Sequence, residues 1–486
     1  MVNNIIVVLS LLLTSTFYLK QRYQAAFLTV ISLAMLAPTL QINGSYLNAA
    51  YLMTVWLFAT IVIESIRDKR LPKLEKTESR ILLWVFIVSR VWSIGAYVIG
   101  YVQNGTAGIS AFMGALLGNI NLFVLVVLLV YIGLKMPKKR LLPVFFQSAV
   151  LLAAVNVVFY VLQRFIFEIG YDLTYSLFMS PDRSSPLETM KAIGAFDRIF
   201  GSFFTPTVLG TTFLYMIVIL LAWFFVTQKE LLLPMFATII VLTYVGITSF
   251  SKLIILGLPA MIVYLFVCML IMKRSKTLKP IKLKNFWVMT SLLVAVFVVA
   301  YLTFPQELIN VKNYYYGMLM KPLNSLTSRY KIPTNINPDI IEAGEPLPDA
   351  GKTVDALNFF RQHPIFGVGP IAVADEFIGD SQVSMVLHHG GIVGAVGYLL
   401  FYGYAFIKGI QKQNLMVISL IAALFIGCLA SNTLDYRHTM PFIAFIILAV
   451  RGADHEFGPD SETHKLGWLG QEIALTDQHS VSKNMS

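Results

Sequence analysis

Lys273-Arg-Ser-Lys-Thr-Leu-Lys-Pro-Ile-Lys-Leu-Lys284 sets the reading of the whole chain. Half of this 12-residue stretch is basic, while the runs on either side, centred near residues 262 and 295, are almost entirely apolar. Lys and Arg resist being carried across a bilayer, so a basic cluster between two long apolar runs marks a cytoplasmic loop between membrane spans. Outward from it, runs of the ~17–25 apolar residues needed for a crossing recur about 13 times. Their centres fall near residues 11, 33, 55, 91, 122, 153, 216, 240, 262, 295, 397, 423 and 444. Basic clusters occupy every second connection: Lys20/Arg22, Arg67 to Arg80, Lys135 to Arg140, Lys229, Lys273 to Lys284 and Lys408/Lys412. The short turns at Gln41 to Tyr46 and Val102 to Ser110 carry neither Lys nor Arg. Those turns and the N-terminus therefore belong outside, and the tail after Arg451 inside.

The 486 residues are 57% hydrophobic and 13% charged, with a mean hydropathy of +0.72. No soluble core of this length absorbs so much apolar surface. A soluble enzyme is excluded, and the expected fold is an all-α polytopic membrane protein of about 12–14 spans. The net charge of +11 belongs to the alternating loops, so it points to membrane orientation and not to nucleic acid. Cys268 and Cys428 each lie inside an apolar run, which offers neither a disulfide framework nor a metal-binding spacing. Ile5 to Leu19 has the length of a signal sequence, but its basic residues, Lys20 and Arg22, come after it. It reads as a retained first helix.

This divides the chain into a transmembrane bundle over residues 1–304, interrupted by an external segment at 165–205, and a large external loop at 305–384. C-terminal spans follow at 385–451, and a polar, partly disordered cytoplasmic tail at 452–486. Long loops usually carry function. The larger one holds Arg329, Lys331, Lys352, Asp355, Arg361, Asp375, Glu376 and Asp380. Within it, Val354 to His363 has the pattern of a short amphipathic helix, and Pro333 to Pro348, with four prolines, that of extended chain. No internal repeat supports the inverted-repeat plan of secondary transporters.

The chain contains no His-Glu-x-x-His, no phosphate-binding Gly-x-x-x-x-Gly-Lys-Ser/Thr, no paired Cys motif and no Asp-x-Asp. No metal-ligand set is visible. What the external side offers is cations: Arg198 ahead of one span, Lys252 at the start of another, and Arg329 and Arg361 in the large loop. Such groups suit an anionic ligand at the membrane surface. In Arg198-Ile-Phe-Gly-Ser-Phe-Phe-Thr-Pro-Thr-Val-Leu-Gly210, Thr205 is placed to cap a helix beginning at Pro206, whose positive dipole end faces out beside Arg198. Arg198 reads equally as a residue snorkelling to head groups. Lys252, after Thr248-Ser-Phe-Ser251, opposes the orientation rule; it is either an interfacial lysine or a site residue. Arg90 falls near the middle of a span, which calls for a partner such as Glu64 or a water-filled cavity. His363-Pro-Ile-Phe-Gly-Val-Gly-Pro370 reads as a helix stop followed by turns, with a phosphate loop as the alternative. Asp380 is an N-cap or a catalytic group, and His388 and His389 read as interfacial residues.

Taken in order, Arg-x-x-Gly-Ser-Phe-x-x-Pro-x-x-x-Gly, then Ser-x-Ser-Lys, then His-Pro-Ile-Phe-Gly-Val-Gly, Asp-Ser and Gly-Gly-Ile-Val-Gly resembles the O-antigen ligase and Wzy-type polysaccharide polymerase superfamily. The resemblance covers most of residues 190–410. It implies a helical, GT-C-like glycosyltransferase in the bacterial cytoplasmic (inner) membrane. Such an enzyme joins glycans carried on undecaprenyl diphosphate at the outer face, without cofactor, metal or nucleotide sugar. Arg198 matches the family arginine, and Lys252 stands where many members have Arg, which keeps the charge but loses the bidentate fork. Asp380-Ser381 replaces the His-Asn common in ligases, a departure that favours a polymerase. The family's loop arginine corresponds to Arg329, with Arg361 and Lys352 as rivals, and Arg90 joins these as a candidate substrate contact.

The implied partners are an undecaprenyl-diphosphate-linked oligosaccharide and the lipid bilayer, with a chain-length regulator as a further candidate and no nucleic acid. The cations stabilise the departing diphosphate. Asp380, with Asp197, Asp375 and Glu376 behind it, takes the proton of the attacking sugar hydroxyl, and direct displacement inverts the anomeric centre. Two alternatives stand beside the polymerase: a ligase passing the glycan to another acceptor, and a flippase for lipid-linked sugars.

Overall fold

The structure, a computed structural model, describes residues 2–36, 38–42, 45–68, 77–104, 109–178, 199–203, 205–226, 232–251, 253–273, 283–306, 308–309, 360–361, 363–367, 382–430 and 436–452. Its elements, in chain order, are α1 (Val2–Leu19), α2 (Tyr23–Leu36), β1 (Thr39–Ile42), β2 (Ser45–Asn48), α3 (Ala49–Asp68), α4 (Thr77–Asn104) and α5 (Ile109–Lys135). There follow α6 (Leu141–Phe165), α7 (Phe167–Phe178), α8 (Pro206–Val226), α9 (Leu232–Thr248), a π-helical turn at Leu253–Gly257, α10 (Leu258–Lys273) and α11 (Leu283–Thr303). The last helices are α12 (Gln382–Gln411), α13 (Leu415–Ala430) and α14 (Met440–Ala449).

Every span centre read from the sequence lies inside one of these helices. Among the described residues, eight helices are long and apolar enough to cross a membrane, and the other apolar ones are 10–17 residues long. The chain is a multi-pass membrane protein, and its described residues are helical apart from one hairpin and short connections. The connection read as a short turn at Gln41 to Tyr46 is that hairpin: β1 and β2 pair antiparallel, Thr39 opposite Asn48. A hydrogen bond from Thr39 Oγ1 to the Leu177 carbonyl ties it to the end of α7.

The organising element is α8. A helix apolar on all sides needs neighbours on all sides, and its apolar window is fully buried. The π-helical turn, α9 and α13 pack around it, and its Tyr215 meets Phe442 of α14 edge to face. Residues of outer helices such as Leu12, Ile63, Trp84, Val299 and Leu399 are exposed. Apolar surface of this kind is what lipid tails cover.

The two ends of the bundle are built differently. At the basic end, Lys135 of α5 pairs with Glu64 of α3 at 3.1 Å, and Tyr18 of α1 donates to the same carboxylate. Lys412 pairs with Glu78 at the start of α4 at 2.7 Å. Asn414 donates to the carbonyls of Ala449 and Gly452 while capping α13 through the amide of Val417. The site candidates lie toward the opposite end.

Candidate functional site

Two pieces of irregular backbone organise the end opposite the basic clusters. The first is the turn at Ile199–Phe203. Its peptide groups have no regular partner, and α6 supplies them with two amide side chains. Gln163 Oε1 accepts from the amides of Phe200 (3.2 Å) and Gly201 (3.0 Å), and its Nε2 donates to the Gly201 carbonyl (2.9 Å) and to Thr174 Oγ1 (2.7 Å). Asn156, seven residues earlier and so on the same face of α6, accepts from the Ser202 amide at 2.9 Å. Gly201 has φ +56, and a Cβ there would fall 2.0 Å from Asn156 Oδ1. Glycine is required twice over, by the backbone and by the closeness of the amide.

Thr205 Oγ1 then accepts from the Val208 amide at 3.3 Å, and α8 begins at Pro206, as its cap residues dictate. One turn later Gly210 faces the turn after α9: a Cβ on it would lie 2.4 Å from Ser251 Cβ and Oγ. The Ile199 amide donates to the Thr248 carbonyl at 3.4 Å. The segment ending at Gly210 and the segment Thr248-Ser-Phe-Ser251 are thus interlocked. Ser251 is buried, and its hydroxyl makes no hydrogen bond among the described residues. Phe250, at φ 48, stacks edge to face with Phe304, whose ring also carries the Arg164 guanidinium at 4.7 Å.

The second piece is a break in α12. Gly391 has φ 59 and ψ −156, a combination open only to glycine. Into the break fits the turn His363–Gly367. The Ile392 amide donates to the Pro364 carbonyl (2.8 Å) and that of Val393 to the Ile365 carbonyl (3.4 Å), so the turn caps the second half of α12. Trp92 Nε1 donates to the Gly390 carbonyl at 3.1 Å, and its ring stacks on Phe366 at 5.0 Å. A Cβ on Gly367 or Gly391 would meet backbone atoms of the other strand at 2.4–2.7 Å. The His-Pro-Ile-Phe-Gly sequence is therefore a turn, as read, and its purpose is to plug a broken helix.

Beside the break lies a small cleft lined by Arg90, Ser93, Asn119, Val386, His389, Gly390, Gly394 and Tyr398. Arg90 is 6% exposed, with its guanidinium 5.5 Å from the Phe86 ring and 5.6 Å from that of Tyr398. Arg90 lines this cleft, and Glu64, the partner considered for it from the sequence, pairs with Lys135 and Tyr18. His388 is buried at 2% exposure.

Arg198, Lys252, Arg329, Lys352 and Asp380 lie outside the described residues, as do Asp197, Asp375 and Glu376. Arg361 is described, helical and exposed. Of Val354 to His363, only residues 360, 361 and 363 are described. The supporting residues Asn156, Gln163, Ser93, Asn119 and Tyr398 were not singled out from the sequence. Polar side chains in the outer halves of apolar runs are the signal that could have found Asn156 and Gln163. Among the described residues, no group of three or more His, Cys, Asp or Glu side chains could hold a metal ion.

Fold and site together define a multi-pass helical membrane protein with a broken span and interlocked turns at one end. No protein-family model matches the sequence, and the curated proteins contain no match to it.

Proposed function

We propose that the chain is a polysaccharide polymerase, transferring a glycan from undecaprenyl diphosphate onto a lipid-linked repeat unit at the outer face of a bacterial cytoplasmic membrane. The observation that carries this reading is the interlock of Ile199–Gly210 with Thr248–Ser251. Arg198 and Lys252 are the chain neighbours of those two fixed segments. The orientation rule assigns that end to the outside. On this reading the two cations stabilise the diphosphate as the glycosidic C–O bond to it breaks. Asp380 accepts the proton of the attacking sugar hydroxyl, whose oxygen forms the new bond with inversion.

The test is elongation of lipid-linked repeat units by purified protein in detergent, without ATP or added metal. Longer glycans are expected from the wild type and none from Arg198→Ala or Lys252→Ala. Near-normal elongation by both variants defeats the clamp, and retained anomeric configuration defeats direct displacement.

The break in α12 favours a second reading, a flippase for the same lipids, because interrupted helices line the substrate paths of many transporters. Transbilayer movement in vesicles with no elongation in detergent would select it.

A further inference from the structure

We propose that Arg164, with the paired hydroxyls of Tyr160 and Tyr244 one turn deeper, forms a subsite for a phosphate joined to a lipid tail. It is additional to the pair of cations assigned above. It rests on the polymerase reading only for the identity of the lipid, an undecaprenyl-diphosphate-linked glycan.

Arg164 lies in the last turn of α6, at the end opposite the basic clusters, where the orientation rule disfavours Lys and Arg. Its guanidinium carbon sits 4.7 Å from the ring of Phe304, just beyond α11. That ring is buried and meets the buried ring of Phe250 edge to face. The platform is therefore rooted in the bundle, and the guanidinium on it is oriented without being neutralised. Among the described residues, no carboxylate pairs with Arg164 and no acceptor takes its N–H groups; the ion pairs there are Lys135 with Glu64 and Lys412 with Glu78. The side chain is half-buried, so its donor fork is fixed on one side and open on the other.

Tyr160, four residues earlier, lies on the same face of α6. Its hydroxyl is 3.3 Å from that of Tyr244 on α9, and the two rings meet edge to face at 5.8 Å. Of two hydroxyls paired in this way, one proton is used between them and the other remains to donate. The phenol pair thus adds a donor about 6 Å along α6 from the Arg164 position. A cationic fork and a phenol proton at this spacing suit the oxygens of a phosphate.

The surroundings select a phosphate that carries a tail. Here α9 packs against both α6 and α11, and Val161 and Phe165 of α6 and Leu302 of α11 are exposed apolar residues on the neighbouring turns. Lipid tails cover such surface, so an anion with its own hydrocarbon chain approaches the seam through the bilayer.

Two lipids bring such a phosphate, the polyprenyl substrate and a bilayer phospholipid, and the experiment separates them. The full chain in neutral detergent is titrated with geranylgeranyl diphosphate. Arg164→Gln should weaken binding about tenfold or more, Tyr160→Phe/Tyr244→Phe several-fold, and Arg164→Lys less than Arg164→Gln. The tyrosine double variant keeps both rings and Arg164→Lys keeps the charge, so they report even if Arg164→Gln fails to fold. Unchanged affinity in Arg164→Gln or, should it not fold, in both other variants overturns the proposal. Dioleoyl phosphatidate should compete weakly; displacement at equal concentration, with the same dependence on Arg164, overturns the substrate as the source and gives the subsite to a phospholipid. Arg164-dependent binding in a wild type that elongates no glycan drops the polymerase reading and keeps the subsite. Elongation by the wild type with unchanged affinity in Arg164→Gln does the reverse.

Discussion

The two ends of the bundle hold their cations differently: aromatic rings serve at both, and carboxylate partners are seen at the basic end. At the basic end, Lys135 meets Glu64 and Lys412 meets Glu78, so cations are neutralised by carboxylates of neighbouring helices. Toward the opposite end, the guanidiniums of Arg164 and Arg90 lie over aromatic rings, and the irregular backbone is held by the neutral amides of Asn156 and Gln163. An ion pair consumes both charges, whereas a ring face orients a guanidinium without cancelling it. The contrast separates an end whose described cations reach carboxylates from one whose described guanidiniums pack on aromatic rings and whose irregular backbone is held by neutral amides. Positive φ, by contrast, occurs at both ends among the described residues: at Gly201, Phe250, Gly367 and Gly391 away from the basic clusters, and at Gln21 and Gln413 beside them.

The sharpest way to break this contrast is to add the same methyl group at each end. Gly391→Ala puts a Cβ 2.4 Å from the Ile365 carbonyl oxygen in a backbone conformation alanine avoids. Backbone strain and steric conflict together should cost about 3–5 kcal/mol. Gly133→Ala, at the basic end, meets the Leu448 Cδ1 at 2.3 Å, but this is the tip of a flexible side chain that can rotate away. Its expected cost is about 1 kcal/mol. Thermal unfolding in detergent compares them, and equal losses would remove the claim that the α12 break is rigidly plugged.

Gln163→Leu comes next. It deprives the amides of Phe200 and Gly201 of their shared acceptor and Thr174 of a donor, in a buried site. About 2–4 kcal/mol is expected from the unsatisfied groups. On the polymerase reading, elongation should fall more than folded protein does, since the turn leads directly out of Arg198. Unaltered elongation in a folded Gln163→Leu protein would detach that turn from the site.

Much of this was legible in the chain. Span centres, the Thr205 cap and the Pro206 start follow from local chemistry, and so does the Pro364 turn. Other features depend on contacts between residues far apart in sequence. The break at Gly391 is invisible without the Pro364 and Ile365 carbonyls that fill it. Gly210 reads as an ordinary helix residue until Ser251 is placed against it. The choice for Arg90 between Glu64 and a cavity needed the position of Lys135, which takes Glu64 instead. The burial of His388 likewise depends on residues distant in sequence and does not follow from its place in the span.

Lys135→Met tests the basic end more gently. Glu64 would keep Tyr18 as a donor, and the two charged side chains are 19% and 26% exposed, so the carboxylate is not stranded in a dry interior. About 1–2 kcal/mol of stability should be lost, with elongation unchanged. A large fall in elongation would give this triad a role at the other end of the molecule and blur the division.

The smallest effect is expected at Glu78–Lys412. Its 2.7 Å separation is short, but both side chains remain about a quarter exposed at the membrane edge, where water screens them and side-chain entropy opposes the pairing. A cycle of Glu78→Gln, Lys412→Met and the double variant should give a coupling of about 0.5–1 kcal/mol, shrinking as salt is raised. The backbone contact between α4 and α12 does not depend on this pair, because Gly397 brings α12 against Ser89 and Trp92 bonds to Gly390. Elongation should therefore persist in all three variants. If breaking a screened pair at the basic end did abolish it, the two helices would be moving as one lever, and the ends would have to be treated as a single coupled device.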